Sequence, residues 1–225
     1  MLTRLWRVGF HLLYNQCAFT YARVSWAVSL GRWRAWQRSA MRFLPPPEAG
    51  LALELAHGTG DLQIDLQEAG YHTLALDLSP RMNRLAQKKL RRMGLGDNLV
   101  RGDATRLPLP DESLATVVCT FPTAFIFHPQ TLNELQRVLQ PGAPACIVVA
   151  GELHGRGPRR SLIALLYRAT GQSKPLPDDR DLRSYFGEAG LLVEAPVVQL
   201  ADSTAQLIIL TKPPKPTLDF AAQSC

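Results

Sequence analysis

Hydrophobic and polar positions alternate between two patterns after residue 50. Short runs of aliphatic and β-branched residues predict strands at Leu51–Ala56, Thr73–Asp77, Leu99–Arg101, Leu114–Thr120 and Ala145–Ala150. Between them, apolar residues recur every three or four positions. That spacing predicts helices at Asp61–Ala69, from Pro80 to Met93, and at Thr131–Leu139. Two more helices are expected at Ser161–Ala169 and Asp178–Ala189. Local signals agree: Gly70 closes the first helix, and Ser79 caps the second with Pro80 at its first turn. Leu191–Val198 and Thr204–Thr211 then follow as strands with no helical pattern between them. The 199–203 connection is too short for a crossover, so these two pair antiparallel. The expected fold is α/β, a doubly wound and mostly parallel seven-stranded sheet whose last strand is antiparallel.

Residues 1–44 read differently. Helical spacing covers Arg4–Leu13, Phe19–Leu30 and Arg32–Phe43, and Pro45-Pro46-Pro47 ends the last of these. The expected division is an N-terminal helical arm over 1–47, one domain over 48–212, and a flexible tail over 213–225. A chain of 225 residues that is 46% apolar suits one domain of this size.

Charge adds one distinction. The arm holds seven arginines, all four tryptophans and no Asp, Glu or Lys. The net charge is +6, so residues 45–225 carry −1. A chain-wide nucleic-acid surface is therefore not expected. His11, Tyr14, Asn15 and Gln16 interrupt the apolar run that a secretory signal needs, and Arg23 interrupts the candidate span Cys17–Leu30. The arm carries two readings. One is a helical cap over a pocket. The other is a basic, aromatic patch that touches a membrane surface. The expected location is cytoplasmic, with the second reading placing the chain at the inner face of a membrane. Cys17, Cys119, Cys146 and Cys225 are too scattered for a metal cluster, so no metal is expected.

The chemistry concentrates at predicted strand ends. Glu54-Leu55-Ala56-His57-Gly58-Thr59-Gly60-Asp61 joins the first strand to the first helix. Glycines there let backbone approach a ligand, and a helix start offers free N–H groups. Asp77 ends the second strand, where a carboxylate can accept from ribose hydroxyls. Asp103 follows the third strand, where it can accept from an exocyclic amine. Thr120-Phe121-Pro122 ends the fourth strand at the rim. Open α/β sheets bind ligands at these carboxyl ends.

As an ordered set these motifs resemble class I S-adenosylmethionine-dependent methyltransferases. The E/D-x-G-x-G-x-G motif falls on Glu54, Ala56, Gly58 and Gly60, with Ala56 in place of the first glycine and His57 where cysteine is frequent. The likeness continues through Ala75–Met82, Gly102–Pro108 and Asn133–Gly142 and spans roughly residues 50–150. Tyr14–Tyr21 is similar to the F/Y-D-x-x-A-x-x-Y-D opening of ubiquinone/menaquinone-biosynthesis methyltransferases, with Asn15 and Ala22 at its acidic positions. Ser29–Trp36 is similar to their SLG…W stretch. The resemblance implies S-adenosylmethionine as cofactor and a small lipophilic or aromatic acceptor. It implies that Gly58 and Gly60 lie along the methionine part, with Ala56 and His57 in the same loop, and that Glu54 positions the amino end. Asp77, followed by Leu78, would hold the ribose and Met82 the adenine face. Asp103 and the Ala104 backbone would read the adenine edge, and Thr120 would offer backbone near the transferred methyl.

A sulfonium activates its own methyl, so alignment and exclusion of water can suffice, and a general base is optional. His128 and His154, each just beyond a strand, are candidate bases; neither is assigned. Two other readings stay open: a methyltransferase-like binding module without catalysis, and a nicotinamide-dependent oxidoreductase. The latter needs G-x-G-x-x-G, and Gln63 stands at its third glycine. RNA methylation lacks an Asn/Asp-Pro-Pro-aromatic signature, so a small-molecule substrate is expected and nucleic acid is not.

Overall fold

The computed structural model describes residues 29, 31–154 and 179–215. The helices expected at Arg4–Leu13, Phe19–Leu30 and Ser161–Ala169, and the tail beyond residue 215, lie outside the described residues. Eight strands form one sheet: β1 (Ala52–Leu55), β2 (Thr73–Asp77), β3 (Leu99–Arg101), β4 (Thr116–Thr120), β5 (Pro144–Leu153), β6 (Leu192–Glu194), β7 (Val197–Gln199) and β8 (Ser203–Thr211). Their order is β3-β2-β1-β4-β5-β8-β6, with β7 also on β8. The first five strands are parallel, and β8 runs antiparallel to β5. The reversal in order beside β1 puts the crevice of the doubly wound fold at the carboxyl ends of β1 and β4.

The seven strands of the sequence pattern become eight because Leu191–Val198 is interrupted. Pro196 has no N–H to give the ladder, so pairing with β8 stops after Glu194 and resumes at Val197. The register carries straight across the gap: Glu194 opposes Ile209 and Val197 opposes Gln206. A second difference is β5, which continues past Ala150 to Leu153 through an irregularity between Val148 and Ala150.

Five α-helices are described: α1 (Trp33–Ser39), α2 (Asp61–Glu68), α3 (Pro80–Arg92), α4 (Pro129–Val138) and α5 (Asp179–Gly187). The segment expected as helix Arg32–Phe43 is α1 followed by a 3₁₀ turn over Ala40–Phe43. Successive strand residues enter opposite layers. Val117, Cys119, Ala145 and Ile147 face α4 residues Leu132 and Leu135, while Val118, Cys146 and Val148 face α2 residues Leu62 and Leu66. Both faces are covered, so the strands read as continuous apolar runs rather than alternating ones.

The described part of the arm belongs to the α2 face. Trp36 is 1% exposed and packs among Leu62, Leu66, Val118 and Val148. It lies so close over β5 that a Cβ on Gly151 would fall 2.2 Å from its ring. Three of the described arm's arginines pair with carboxylates of the domain. Arg34 forks onto Asp65 of α2 at 2.7 and 3.1 Å, Arg38 joins the same carboxylate, and Arg32 pairs with Asp202.

Burial would raise the Asp65 carboxyl, but hydrogen bonds from Arg34 and Arg38 outweigh it and hold the group below its ordinary range. A carboxyl lowered in this way stabilises the fold above its unfolded pKa of about 3.9, and that stabilisation is lost as pH falls through the lower folded value. Asp65→Asn is expected to cost about 1–2 kcal/mol at neutral pH, less than a fully buried pair because both guanidiniums are half exposed. Urea unfolding of both proteins at neutral pH and at roughly pH 3 checks this, since the gap narrows in acid. An unchanged gap would show that Asp65 does not tie the arm down electrostatically.

Candidate functional site

A cleft of about 580 Å³ opens at the carboxyl ends of β1, β2 and β4. Its floor is the loop between β1 and α2. Ala56, Gly58 and Gly60 all take positive φ, at 55°, 54° and 76°. A Cβ on Gly58 would touch only the Ala56 carbonyl oxygen, at 4.0 Å, so the space beside it is open. Gly60 is constrained for a different reason: a Cβ there would come within 2.9 Å of Ala86 on α3. Ala56 stands in left-handed backbone that costs a residue with a Cβ roughly 1–2 kcal/mol. Ala56→Gly is therefore expected to leave ligand affinity unchanged and to raise stability by up to about 1 kcal/mol, since glycine's larger unfolded entropy offsets part of the relief. Thermal melting with and without S-adenosylhomocysteine measures both; lower stability in Ala56→Gly would contradict the strain.

Asp77 sits at the end of β2 and locks the floor in place. One carboxylate oxygen accepts from the Gly58 N–H at 2.9 Å, the other from the Ser79 N–H at 2.8 Å. It is buried yet lines the cleft, leaving lone pairs for hydroxyl donors. His57 tightens the same corner. Its Nδ1 lies 3.0 Å from the Gly58 carbonyl and its Nε2 3.3 Å from Asn83 Oδ1, and Asn83 donates in turn to the Asp77 and Ser79 carbonyls. Burial lowers the His57 pKa, against the pull of Asp77.

Asp103 and Ala104 line the next wall, after β3. The Thr105 N–H and hydroxyl both donate to Asp103, and this lowers its pKa. Opposite them the wall is aromatic. Phe121 follows β4 with φ 51°, an outlier for a bulky residue, and its N–H is tied to the Val148 carbonyl at 2.7 Å. Trp33 of α1 stacks on Phe121 with ring centroids 4.0 Å apart. Gln37, one turn on, donates to the Thr120 hydroxyl at 3.0 Å. Phe125 completes this side.

The cleft thus gathers Ala56, His57, Gly58, Asp77, Leu78, Asp103, Ala104 and Thr120 from the sequence expectations. Five other expected residues lie elsewhere. Glu54 is buried beneath the loop, accepting from Gln63 at 2.8 Å, and burial pushes its carboxyl up to about 8. Gly60 lies behind the floor, against α3. Met82 is fully buried under α3 and is not among the cleft residues; the apolar side chain on that rim is Leu78, 64% exposed. The reason is helical phase: Met82 stands with Ala86 and Leu90 on the inward face. Neither candidate base reaches the cleft. His128 is exposed and caps α4 through the Gln130 N–H, and His154 is exposed at the end of β5.

Phe121 stands at the rim expected from Thr120-Phe121-Pro122, whereas Trp33, Gln37 and Asn83 are not among the residues expected at the site. Trp33 was visible as part of the SLG…W stretch, and Asn83 stands one helical turn beyond Ser79, but no local pattern marks Gln37. Among the described residues no group of His, Cys, Asp and Glu could hold a metal ion, and no helix is long and apolar enough to cross a membrane.

A family profile described as a methyltransferase domain matches residues 52–142. The chain is 28% identical over 232 residues to a demethylmenaquinone methyltransferase of Clavibacter sepedonicus, covering 93% of this chain and 91% of that one. It is 30% identical to a demethylmenaquinone methyltransferase of Thermus thermophilus, covering 69% and 70%. Among solved structures, phosphoethanolamine N-methyltransferase 2 of Haemonchus contortus, in complex with phosphomonomethylethanolamine and S-adenosylhomocysteine, superposes with a TM-score of 0.59. It is 14% identical and covers 81% of this chain and 53% of that one. That likeness concerns the fold.

Proposed function

Because the chain belongs to the class I S-adenosylmethionine-dependent methyltransferases of the ubiquinone/menaquinone-biosynthesis type, we propose that its cleft methylates an electron-rich quinol ring carried on a lipophilic molecule. The cofactor is S-adenosylmethionine, which supplies a methyl already activated on sulfur. The residues fit it. Gly58 leaves open space along the floor for the methionine part, and Asp77 offers acceptors for the ribose hydroxyls. Asp103 and the Ala104 backbone stand where an adenine edge would lie, and Leu78, in place of Met82, offers an apolar surface for its face. Glu54 acts at one remove, holding Gln63 beneath the loop.

The observation that carries the acceptor class is the wall of Trp33, Phe121 and Phe125 across Thr120 from those groups. Stacked and edge-on aromatic surfaces suit a planar ring, with each such pair worth about 0.5–1.5 kcal/mol beyond burial. Every ionisable cleft residue among those described (His57, Asp61, Asp77, Arg101 and Asp103) belongs to the floor or the opposite wall. The aromatic side therefore suits an acceptor that needs little help from a base, and a hydroquinone activates its ring carbons through its own hydroxyls. The chain's work is to align that carbon and exclude water. The described arm acts as a cap, since Trp33 and Gln37 form part of the wall.

The test is methyl transfer from labelled cofactor to demethylated naphthoquinol and benzoquinol, small phenols and bulk RNA, with calorimetry for S-adenosylhomocysteine and NAD. Transfer to a quinol and binding of S-adenosylhomocysteine alone are expected. Transfer only to RNA or protein would overturn the acceptor class. Cofactor binding without transfer to any acceptor would favour the binding module.

A further inference from the structure

Helix α3 carries Arg81, Arg84, Lys88, Lys89, Arg91 and Arg92 and not one acidic residue. Its apolar side, Met82, Ala86 and Leu90, is fully buried. Two of the cations are answered within the fold: Lys89 by Asp61 at 2.9 Å and Arg91 by Asp97 at 2.6 Å. Arg84, Lys88 and Arg92 are exposed and have no ion-pair partner among the described residues. They stand at i, i+4 and i+8, which makes them one row along the helix. Like charges in that register destabilise a helix. Cations in the last turn suit the negative end of the helix dipole, which accounts for Arg92 but not for Arg84 or Lys88. The repulsion in the row calls for a negative surface outside the fold.

The ends of the row are apolar. Leu78, just before α3, is 64% exposed at the cleft rim, and Met93, just after it, is 49% exposed. Arg101, also exposed at that rim, donates to the Leu78 carbonyl at 3.3 Å. Residues 79–98 contain no aromatic side chain on which a nucleic-acid base could stack. We propose that the Arg84–Lys88–Arg92 face of α3 docks on an anionic lipid surface, with Met93 entering the headgroup region and the cleft mouth, marked by Leu78, brought to the bilayer edge. Charge complementarity selects this occupant: a helix with a Lys/Arg-rich outer face and apolar residues at its margins binds anionic lipid. The face is distinct from the described arm, whose Arg32, Arg34 and Arg38 are turned onto Asp202 and Asp65. Binding alone reads the proposal, so it stands apart from the identity of the acceptor.

The experiment is co-sedimentation of the full chain with vesicles of phosphatidylcholine alone and of phosphatidylcholine with phosphatidylglycerol. Wild type is expected to bind only the anionic vesicles and to be released by high salt. Arg84→Gln, Lys88→Gln and Arg92→Gln together are expected to weaken binding about five-fold per cation, on the order of 100-fold in all. All three are exposed, so melting should show the fold intact. A parallel variant, Arg4→Gln, Arg7→Gln and Arg23→Gln, is expected to bind as wild type does. Equal binding by the α3 variant, or loss of binding in the arm variant alone, would overturn the proposal. So would equal binding to neutral vesicles. Displacement from anionic vesicles by transfer RNA at matched phosphate, with the same dependence on the α3 row, would replace the lipid by nucleic acid.

Discussion

Asp77→Ala is expected to lower affinity for S-adenosylhomocysteine by on the order of 10²–10⁴-fold and to destabilise the ligand-free protein by about 2–6 kcal/mol. The two effects have separate origins. The Asp77 carboxylate is the shared acceptor of the Gly58 and Ser79 N–H groups, one per oxygen. Removing it leaves two buried donors unpaired, at about 1–3 kcal/mol each. In the proposed cofactor site the affinity loss would come from two charge-assisted bonds to ribose hydroxyls, about 1.5–3 kcal/mol each, and from release of the loop that Gly58 shapes. Asp77→Asn separates the terms, because its amide oxygen can keep one of the two backbone donors but not both. It should recover part of the stability and little of the affinity. Calorimetric titration with S-adenosylhomocysteine and chemical unfolding of both variants decide it. Wild-type affinity in Asp77→Ala would remove Asp77 from the cofactor site.

Trp36→Ala is expected to cost about 3–5 kcal/mol, the range for deleting a buried aromatic, and to lower Tm by on the order of 10 °C. Trp36 is the part of α1 that enters the core. Trp33 and Gln37, three residues before it and one after, reach the cleft beside Phe121 and Thr120. Loosening α1 should therefore raise KM for the acceptor more than it weakens the cofactor. Gly151 gives an independent check. A Cβ there would strike the Trp36 ring at 2.2–2.6 Å, so Gly151→Ala alone should undock the indole. In the Trp36→Ala background the same change meets no ring and should cost far less. Additive costs in this double-mutant cycle would show that α1 is not seated over β5 in solution.

The element order needed only the sequence. Thr73–Asp77 and Leu99–Arg101 were legible to the residue, because buried parallel strands leave short apolar runs bounded by turn residues. Strand ends fixed the direction of the site as well. Once strands and helices alternate, their carboxyl ends share one edge, so Asp77, Asp103 and the glycine loop had to meet there. The break at Pro196 was present in the sequence but was read through, since the apolar pattern continues on both sides of it.

Other features were decided by tertiary structure. Periodicity tells which face of a helix is buried, not which distant residue that face meets. Trp33 and Gln37 contact Phe121 and Thr120 across more than 80 residues of chain, and no local spacing records that pairing. Helical phase moved Met82 into the core and left Leu78 at the rim. Averaging hid the cationic row, because +6 on α3 vanishes into the −1 of residues 45–225 until the fold places the acids elsewhere. The sequence determined a methyltransferase sheet and the edge on which its cleft opens. Only the packing of α1 over β5 decided that Trp33 and Gln37 line that cleft, since that contact depends on shape complementarity between segments far apart in the chain.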